Sequence, residues 1–205
     1  MKLCSKIKIS AFSALFSFSV VSHSQSLPPD FPQAAISCVQ CHGATGNSLS
    51  PVVPRIAGQQ ITYMKSQIEG YKNGTLEDAD SGFMRDYIGN LSFDDLDIAA
   101  QYYASQTPTK NDSGDPVRVA RGKDFYDNGI PEKGVMACQY CHGSVGEGME
   151  GMGPRMAQQH ANYLYRQIEF YKEGSRPDPS GMMSGAVQNL DMSSMTDIAY
   201  YLQSL

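Results

Sequence analysis

The chain has 205 residues, 41% of them hydrophobic and 18% charged, and a formal net charge of −5. That length supports one large domain or two compact ones of about 80 to 100 residues, each able to bury a core. The acidic balance argues against nucleic acid as a partner, because neutralising phosphates requires an excess of lysine and arginine.

At the N-terminus Lys2, Lys6 and Lys8 precede the apolar run Ile9 to Val21, and Ser22-His23-Ser24 follows with small residues where a signal peptidase inspects the chain. Residues 1–24 therefore read as an export signal cleaved before Gln25, which predicts a periplasmic protein. The alternative is a retained membrane anchor. Against it, the run is shorter than the roughly 20 residues of a spanning helix and is diluted by Ser10, Ser13, Ser17 and Ser19. Loss of 1–24 removes three lysines, no acid and Cys4, leaving 13 basic against 21 acidic residues, a net of −8. Every remaining cysteine falls in one of two motifs, "CVQCHG" (38–43) and "CQYCHG" (138–143). An exported chain with spare thiols is expected to pair them as disulfides, so this economy gives the motifs a dedicated task.

The two motifs head a longer repeat. Shifted by 100 residues, 38–75 and 138–175 are identical at sixteen of 38 positions, among them Pro54-Arg55 with Pro154-Arg155, Gln59 with Gln159, Tyr63 with Tyr163, and Tyr71-Lys72 with Tyr171-Lys172. Two copies at so long a period are a domain duplication rather than a solenoid. The stretch "SQTPTKNDSGDP" between them has turn residues and no apolar periodicity, and reads as a linker. The expected organisation is domain one at 25–106, linker 107–114 and domain two at 115–205.

Within each unit the periodicity is helical. Ile61, Met64, Ile68 and Tyr71 recur at spacings of three and four, as do Leu164, Ile168 and Tyr171, and Gly74 or Gly174 follows as a stop. A second helix is predicted after Leu91-Ser92 along Leu96, Ala99 and Tyr103, with a counterpart through Ile198, Tyr201 and Leu202. Domain two gains an opening helix: Asp115 can cap it, Pro116 fits its first turn, and Val119, Phe125 and Tyr126 supply apolar surface. No alternating strand is present, so the class is all-α with long loops at 43–60 and 143–160.

Three chemistries compete for Cys-x-x-Cys-His. Zinc requires four ligands per site, and the mature chain offers only His42, His142 and His160 beside the cysteines. A thioredoxin-like dithiol requires a preceding strand and gains nothing from the histidine. Covalent haem uses every element: Cys38 and Cys41, or Cys138 and Cys141, add to the two vinyl groups, and His42 or His142 reaches the iron. Two covalently bound haem c groups are therefore expected. For the opposite face of the iron, domain one offers Met64 and Met84. Met64 lies on the apolar helix face and is Leu164 in the second copy, which marks it as core. Met84 precedes Leu91 by seven residues, as Met183 precedes Leu190, and an aliphatic residue, Ile88 or Val187, follows each by four. Met84 and Met183 are thus the expected axial ligands, with Met182 the rival in domain two. His160 aligns with Gln60 at a helix start and is expected to be solvated or capping.

With these residues in hand, the chain resembles the dihaem cytochrome c4 family: two CxxCHG motifs, "PRIAGQQ" and "PRMAQQH" after them, a Tyr-x-x-x-Gln helix, a loop methionine and a final helix. The resemblance covers nearly the whole mature chain. It implies two tandem class I cytochrome c-like domains facing each other about a pseudo-two-fold axis. It also implies that the carbonyls of Pro54 and Pro154 accept a hydrogen bond from the proximal imidazoles. Arg55, Arg155, Tyr63 and Tyr163 are candidate haem propionate partners, with loop and helix packing as the alternative. Two departures stand out. Domain one opens with "SLPPDFPQAAIS" instead of a helix carrying a glycine and an aromatic, which predicts a less enclosed first haem. Gln158 stands where the motif expects glycine.

The expected function is electron transfer without a substrate of its own and without enzymatic activity, by transient association of the acidic protein with redox partners, membrane respiratory complexes among them. The leading reading is a carrier between a quinol-oxidising complex and a terminal oxidase. The alternative is the electron-outlet subunit of a periplasmic dehydrogenase oxidising sulfide or alcohols. A dihaem peroxidase with an open iron site is a third.

Overall fold

Helices begin and end where local chemistry predicts. In this computed structural model, which describes residues 27–78 and 80–205, the first half holds α1 (Val39–His42), α2 (Ile61–Asn73), α3 (Ser81–Ile88) and α4 (Phe93–Ser105). The second half holds α5 (Pro116–Asn128), α6 (Gln139–His142), α7 (Ala161–Glu173), α8 (Met182–Val187) and α9 (Met192–Ser204). The expected export signal at 1–24 lies outside the described residues. Among the described residues β-structure is limited to two isolated bridges, so the all-α expectation holds, and no helix is long and apolar enough to cross a membrane.

Ser92 caps α4 by accepting from Asp95 N–H, Asp115 caps α5 from Val117 N–H, and Asp191 caps α9 from Ser194 N–H. Each satisfies one of the amide donors that a helix start leaves free. Helices α2 and α7 both end on a left-handed glycine, Gly74 and Gly174. The first half closes its core with Ala35, Met64, Ala99, Ala100, Tyr102 and Tyr103. The second closes around Tyr126, Leu164, Ile168, Met195, Ile198 and Leu202. Burying each large side chain of these sets stabilises the fold by about 1.5–3 kcal/mol before the entropy of ordering is subtracted.

Two local expectations need correction and a third is refined. The segments carrying Met84 and Met183 are short helices, α3 and α8, rather than loops; at eight and six residues they are too brief to show a helical period. Domain one lacks an opening α-helix, as expected, but the segment is not bare chain: it forms a 3-10 turn at Gln33–Cys38. Its Ala35 is fully buried, and Phe31 just before it packs edge-on to Tyr102 at 5.0 Å between centroids. His160 is buried rather than solvated: its Nε2 lies 2.8 Å from Ser48 O, contributed by the other half of the molecule.

The halves are joined by reciprocal contacts. Arg55 N–H donates to Gln159 Oε1 at 2.8 Å and Arg155 N–H to Gln59 Oε1 at 3.0 Å. In return Gln159 Nε2 donates to Arg55 O and Gln59 Nε2 to Arg155 O, at 2.8 and 2.9 Å. Such an exchange is the signature of an approximate two-fold relation, each copy presenting the same patch to the other.

Candidate functional site

Each Cys-x-x-Cys-His motif forms a single helical turn, α1 or α6, whose last residue is the histidine. One turn carries the two thiols and the imidazole on a short stretch of backbone. The loop after it folds back so that the proline carbonyl twelve residues on meets the ring: His42 Nδ1 lies 2.9 Å from Pro54 O and His142 Nδ1 3.0 Å from Pro154 O. A carbonyl only accepts, so Nδ1 must carry the proton and Nε2 must present its lone pair. Both rings are buried, and burial lowers their proton affinity against the smaller opposing effect of the carbonyl contact. Each is therefore a neutral imidazole with one free nitrogen donor, the form that binds a metal.

The cysteines are unpaired thiols. Burial, reinforced by Cys41 nearby, pushes Cys38 up to about 11, and burial likewise takes Cys138 to about 11. An exchange-active dithiol needs the opposite shift, a lowered thiol pKa. Zinc finds no support either, since among the described residues no three His, Cys, Asp or Glu side chains are grouped to hold an ion.

Helices α3 and α8 place Met84 and Met183 at matching positions. Both side chains are half-buried; Ile88 and Val187, four residues on, are buried and anchor the helices. Met183 packs on the second core, whereas its rival Met182 is 60% exposed. Met64 is a core residue. A repeated lysine holds each of these helices down. Lys72 Nζ donates to the carbonyls of Ile88, Gly89 and Leu91 at 3.2, 3.1 and 2.6 Å, and Lys172 Nζ donates to Leu190 O. A cation at a helix C-terminus satisfies carbonyls that have no partner in the helix and complements its dipole.

The four candidate propionate partners separate into two environments. Arg55 ties the linker down through Thr109 O at 2.8 Å and reaches domain two at Gln158 O, 2.9 Å away, and Arg155 reaches Gln158 Oε1 at 2.9 Å. Tyr63 and Tyr163 are drawn to the contact between halves, where burial raises both phenols above their ordinary range. Arg176 joins them there, 2% exposed and bonded to Gln67 Oε1 at 2.5 Å. Its counterpart in the first copy is Leu76, so self-comparison gave no signal for it. The Nε atoms of Arg55 and Arg176 are buried with no hydrogen-bond partner among the described residues. Two buried guanidinium Nε–H groups without a partner, two thiol pairs, two neutral imidazoles and two half-buried thioethers are a donor set that fits one haem c per half, with carboxylates to take the spare N–H groups, although Arg176 is also paired with the buried Asp78 carboxylate at 3.8 Å.

Gln158, standing where glycine was expected, keeps the glycine conformation: its φ is 65° against 63° for Gly58. Its N–H donates to Leu202 O at 2.7 Å, as Gly58 N–H donates to Tyr103 O at 3.0 Å. The tertiary bond and the Arg155 contact offset the cost of about 1–2 kcal/mol for a side chain in that region.

Comparisons with known proteins agree with this geometry. A family model described as cytochrome c matches residues 119–205. Cytochrome c4 of Thiocapsa roseopersicina is 36% identical over 172 residues, covering 82% of this chain and 86% of that protein. The cytochrome c4 structure from Acidithiobacillus ferrooxidans superposes with a TM-score of 0.75 at 33% identity, covering 82% of this chain and 99% of that one. A thiosulfate dehydrogenase electron acceptor of Thiomonas intermedia is 33% identical over 156 residues, covering 74% of this chain and 70% of that protein. With the paired CxxCH turns, their proline-bound imidazoles and this similarity over most of the sequence, the chain belongs to the cytochrome c4 family: it is a dihaem electron-transfer cytochrome of two class I cytochrome c domains with two covalently bound haem c groups.

Proposed function

We propose that Cys38 and Cys41, and Cys138 and Cys141, form the thioether attachments, that His42 and His142 are the proximal iron ligands, and that Met84 and Met183 are the distal ones. The observation that carries this reading is the tautomer imposed by Pro54 and Pro154, which leaves Nε2 of each buried ring as a donor. Bound haem supplies a ferric/ferrous couple. The protein's part is to hold the imidazole and thioether fixed through α1 and α3, or α6 and α8, so that little rearrangement accompanies a change of charge. Held by an imidazole and a soft thioether, a bound haem would favour its ferrous state and have a raised potential, and with both protein ligands in place it would offer no site to a substrate. On this basis the protein is a carrier and not an enzyme. Tyr63, Tyr163, Arg55 and Arg155 are assigned to the haem propionates, with Arg55 Nε the donor still free to bind one.

Residues 1–24 are proposed as a cleaved export signal, followed by domains at 25–106 and 115–205 with 107–114 between, placing the mature protein in the periplasm. There it carries electrons from a quinol-oxidising complex to a terminal oxidase, docking through its acidic surface. The similarity to a thiosulfate dehydrogenase electron acceptor favours one further reading, an electron outlet for a periplasmic dehydrogenase.

An alkaline pyridine spectrum of the purified protein should give two haems per chain, and the ferric form should show the weak red-end charge-transfer band of methionine ligation. Met84→Ala should remove half of that band and lower one potential. An unchanged band would mean another ligand. Quinol-driven reduction by respiratory membranes, slowing as salt is raised, should distinguish the carrier from a dehydrogenase outlet, which should instead co-purify with its enzyme.

A further inference from the structure

A hydrogen-bond relay runs from each proximal imidazole into the opposite domain. His42 Nδ1–H donates to Pro54 O at 2.9 Å, and the same peptide unit, through Arg55 N–H, donates to Gln159 Oε1 at 2.8 Å. The mirror relay joins His142 to Pro154 O at 3.0 Å and Arg155 N–H to Gln59 Oε1 at 3.0 Å. Both glutamine side chains are buried, so water does not compete for these bonds. Each Oε1 also accepts from the N–H of the residue that follows it, Gln60 or His160, both at 3.0 Å, which fixes the direction of the amide.

A peptide whose N–H is held by an acceptor becomes more polarised, and its carbonyl becomes a stronger acceptor. The imidazole bonded to that carbonyl gains anionic character and donates more strongly through its other nitrogen. We propose that Gln59 and Gln159 are positioning residues that each set the proximal hydrogen bond, and through it the reduction potential, of the haem in the opposite domain. The proposal rests on the assignment of His42 and His142 as iron ligands. The sequence repeats both glutamines, but nothing in it says that each one serves the other copy.

Gln159→Leu and Gln59→Leu in the full dihaem protein test the relay by redox titration and by proton NMR of the reduced state. Gln159→Leu should raise the potential of the domain-one haem and move the His42 Nδ1 proton upfield, leaving domain two unchanged; Gln59→Leu should do the converse. If roughly a tenth to a third of the proximal bond's strength is at stake, the equilibrium for electron exchange between the haems should shift roughly twofold to tenfold. A shift confined to the same-domain haem, or a fall of both potentials as water enters the interface, would overturn the proposal. Gln159→Glu keeps the acceptor on Arg55 N–H and should lower the domain-one potential, so the relay remains testable if the leucine variant does not fold; a rise would overturn it. In the wild type, two Nδ1 protons shifted by the haem ring current should be present. Their absence would overturn the ligand assignment and the relay together, whereas protons that are present and fail to move would overturn the relay alone.

Discussion

The two domains share one site and shelter it differently. In domain two the thirteen-residue α5 lies along α9, and Gly122 allows so close a crossing that an added Cβ would sit 1.9 Å from Asp197 O. Arg118 and Arg121 close over the buried Asp197 carboxylate at 3.2 and 2.7 Å. From the same helix Tyr126 sends its hydroxyl to Gly143 O at 2.5 Å, just after the CxxCH turn. Domain one has only a 3-10 turn in that place, and the equivalent carbonyl, Gly43 O, takes its hydroxyl at 3.1 Å from Tyr103 on the last helix. The position corresponding to Tyr103 in domain two is Leu202, which needs no hydroxyl because Tyr126 supplies one. A missing helix has been replaced by one side chain at the carbonyl that matters, though Cys41 remains exposed where Cys141 is half-buried.

Five substitutions would break or sharpen this comparison. The largest effect belongs to Gly122→Ala, which forces α5 from α9 and should destabilise domain two by about 3 kcal/mol or more; denaturant unfolding followed at the methionine-ligation band should show one haem lost first. Gly58→Ala should cost about 2 kcal/mol, because φ is positive there and the new Cβ would lie 2.7 Å from Pro108 Cγ. Gln158→Ala should cost about 0.5 kcal/mol, since domain two already accommodates a side chain at the corresponding position. Tyr103→Phe and Tyr126→Phe should each cost about 1 kcal/mol by removing one of the two hydrogen bonds that Gly43 O and Gly143 O accept, and equal losses in calorimetry would establish that the two tyrosines are equivalent.

The smallest effect concerns acid. Domain one caps its last helix with Ser92, which does not titrate, and domain two with Asp191, whose carboxyl Lys133 and the Ser194 N–H hold below its ordinary 3.8. A depressed folded-state pKa contributes stability that is present above 3.8 and is lost as the pH falls below it. Domain two should therefore lose melting temperature in acid partly through its cap, a contribution that Asp191→Ser removes and that domain one does not make through its own cap, while Glu147 and Asp178, also held below their ordinary range, keep contributing.

The duplication, the CxxCH turns, the long helices and the Asp115 cap were legible in the sequence, whereas the caps at Ser92 and Asp191 emerged only with the structure. Met84 was separated from Met64 by the comparison of copies alone, although the short helix that carries it was not visible. Tyr103 illustrates what remained hidden. Its helical spacing marks it as a core residue, and only the folded chain brings its hydroxyl to Gly43, sixty positions away.

The sequence by itself determined what this protein binds and how often, since covalent attachment and proximal ligation need only five adjacent residues in one helical turn. Tertiary structure alone decided how domain one is closed without its first helix and that Gln59 and Gln159 cross between domains. These depend on distances between groups about a hundred residues apart, where no local spacing rule applies and packing decides which donor meets which acceptor.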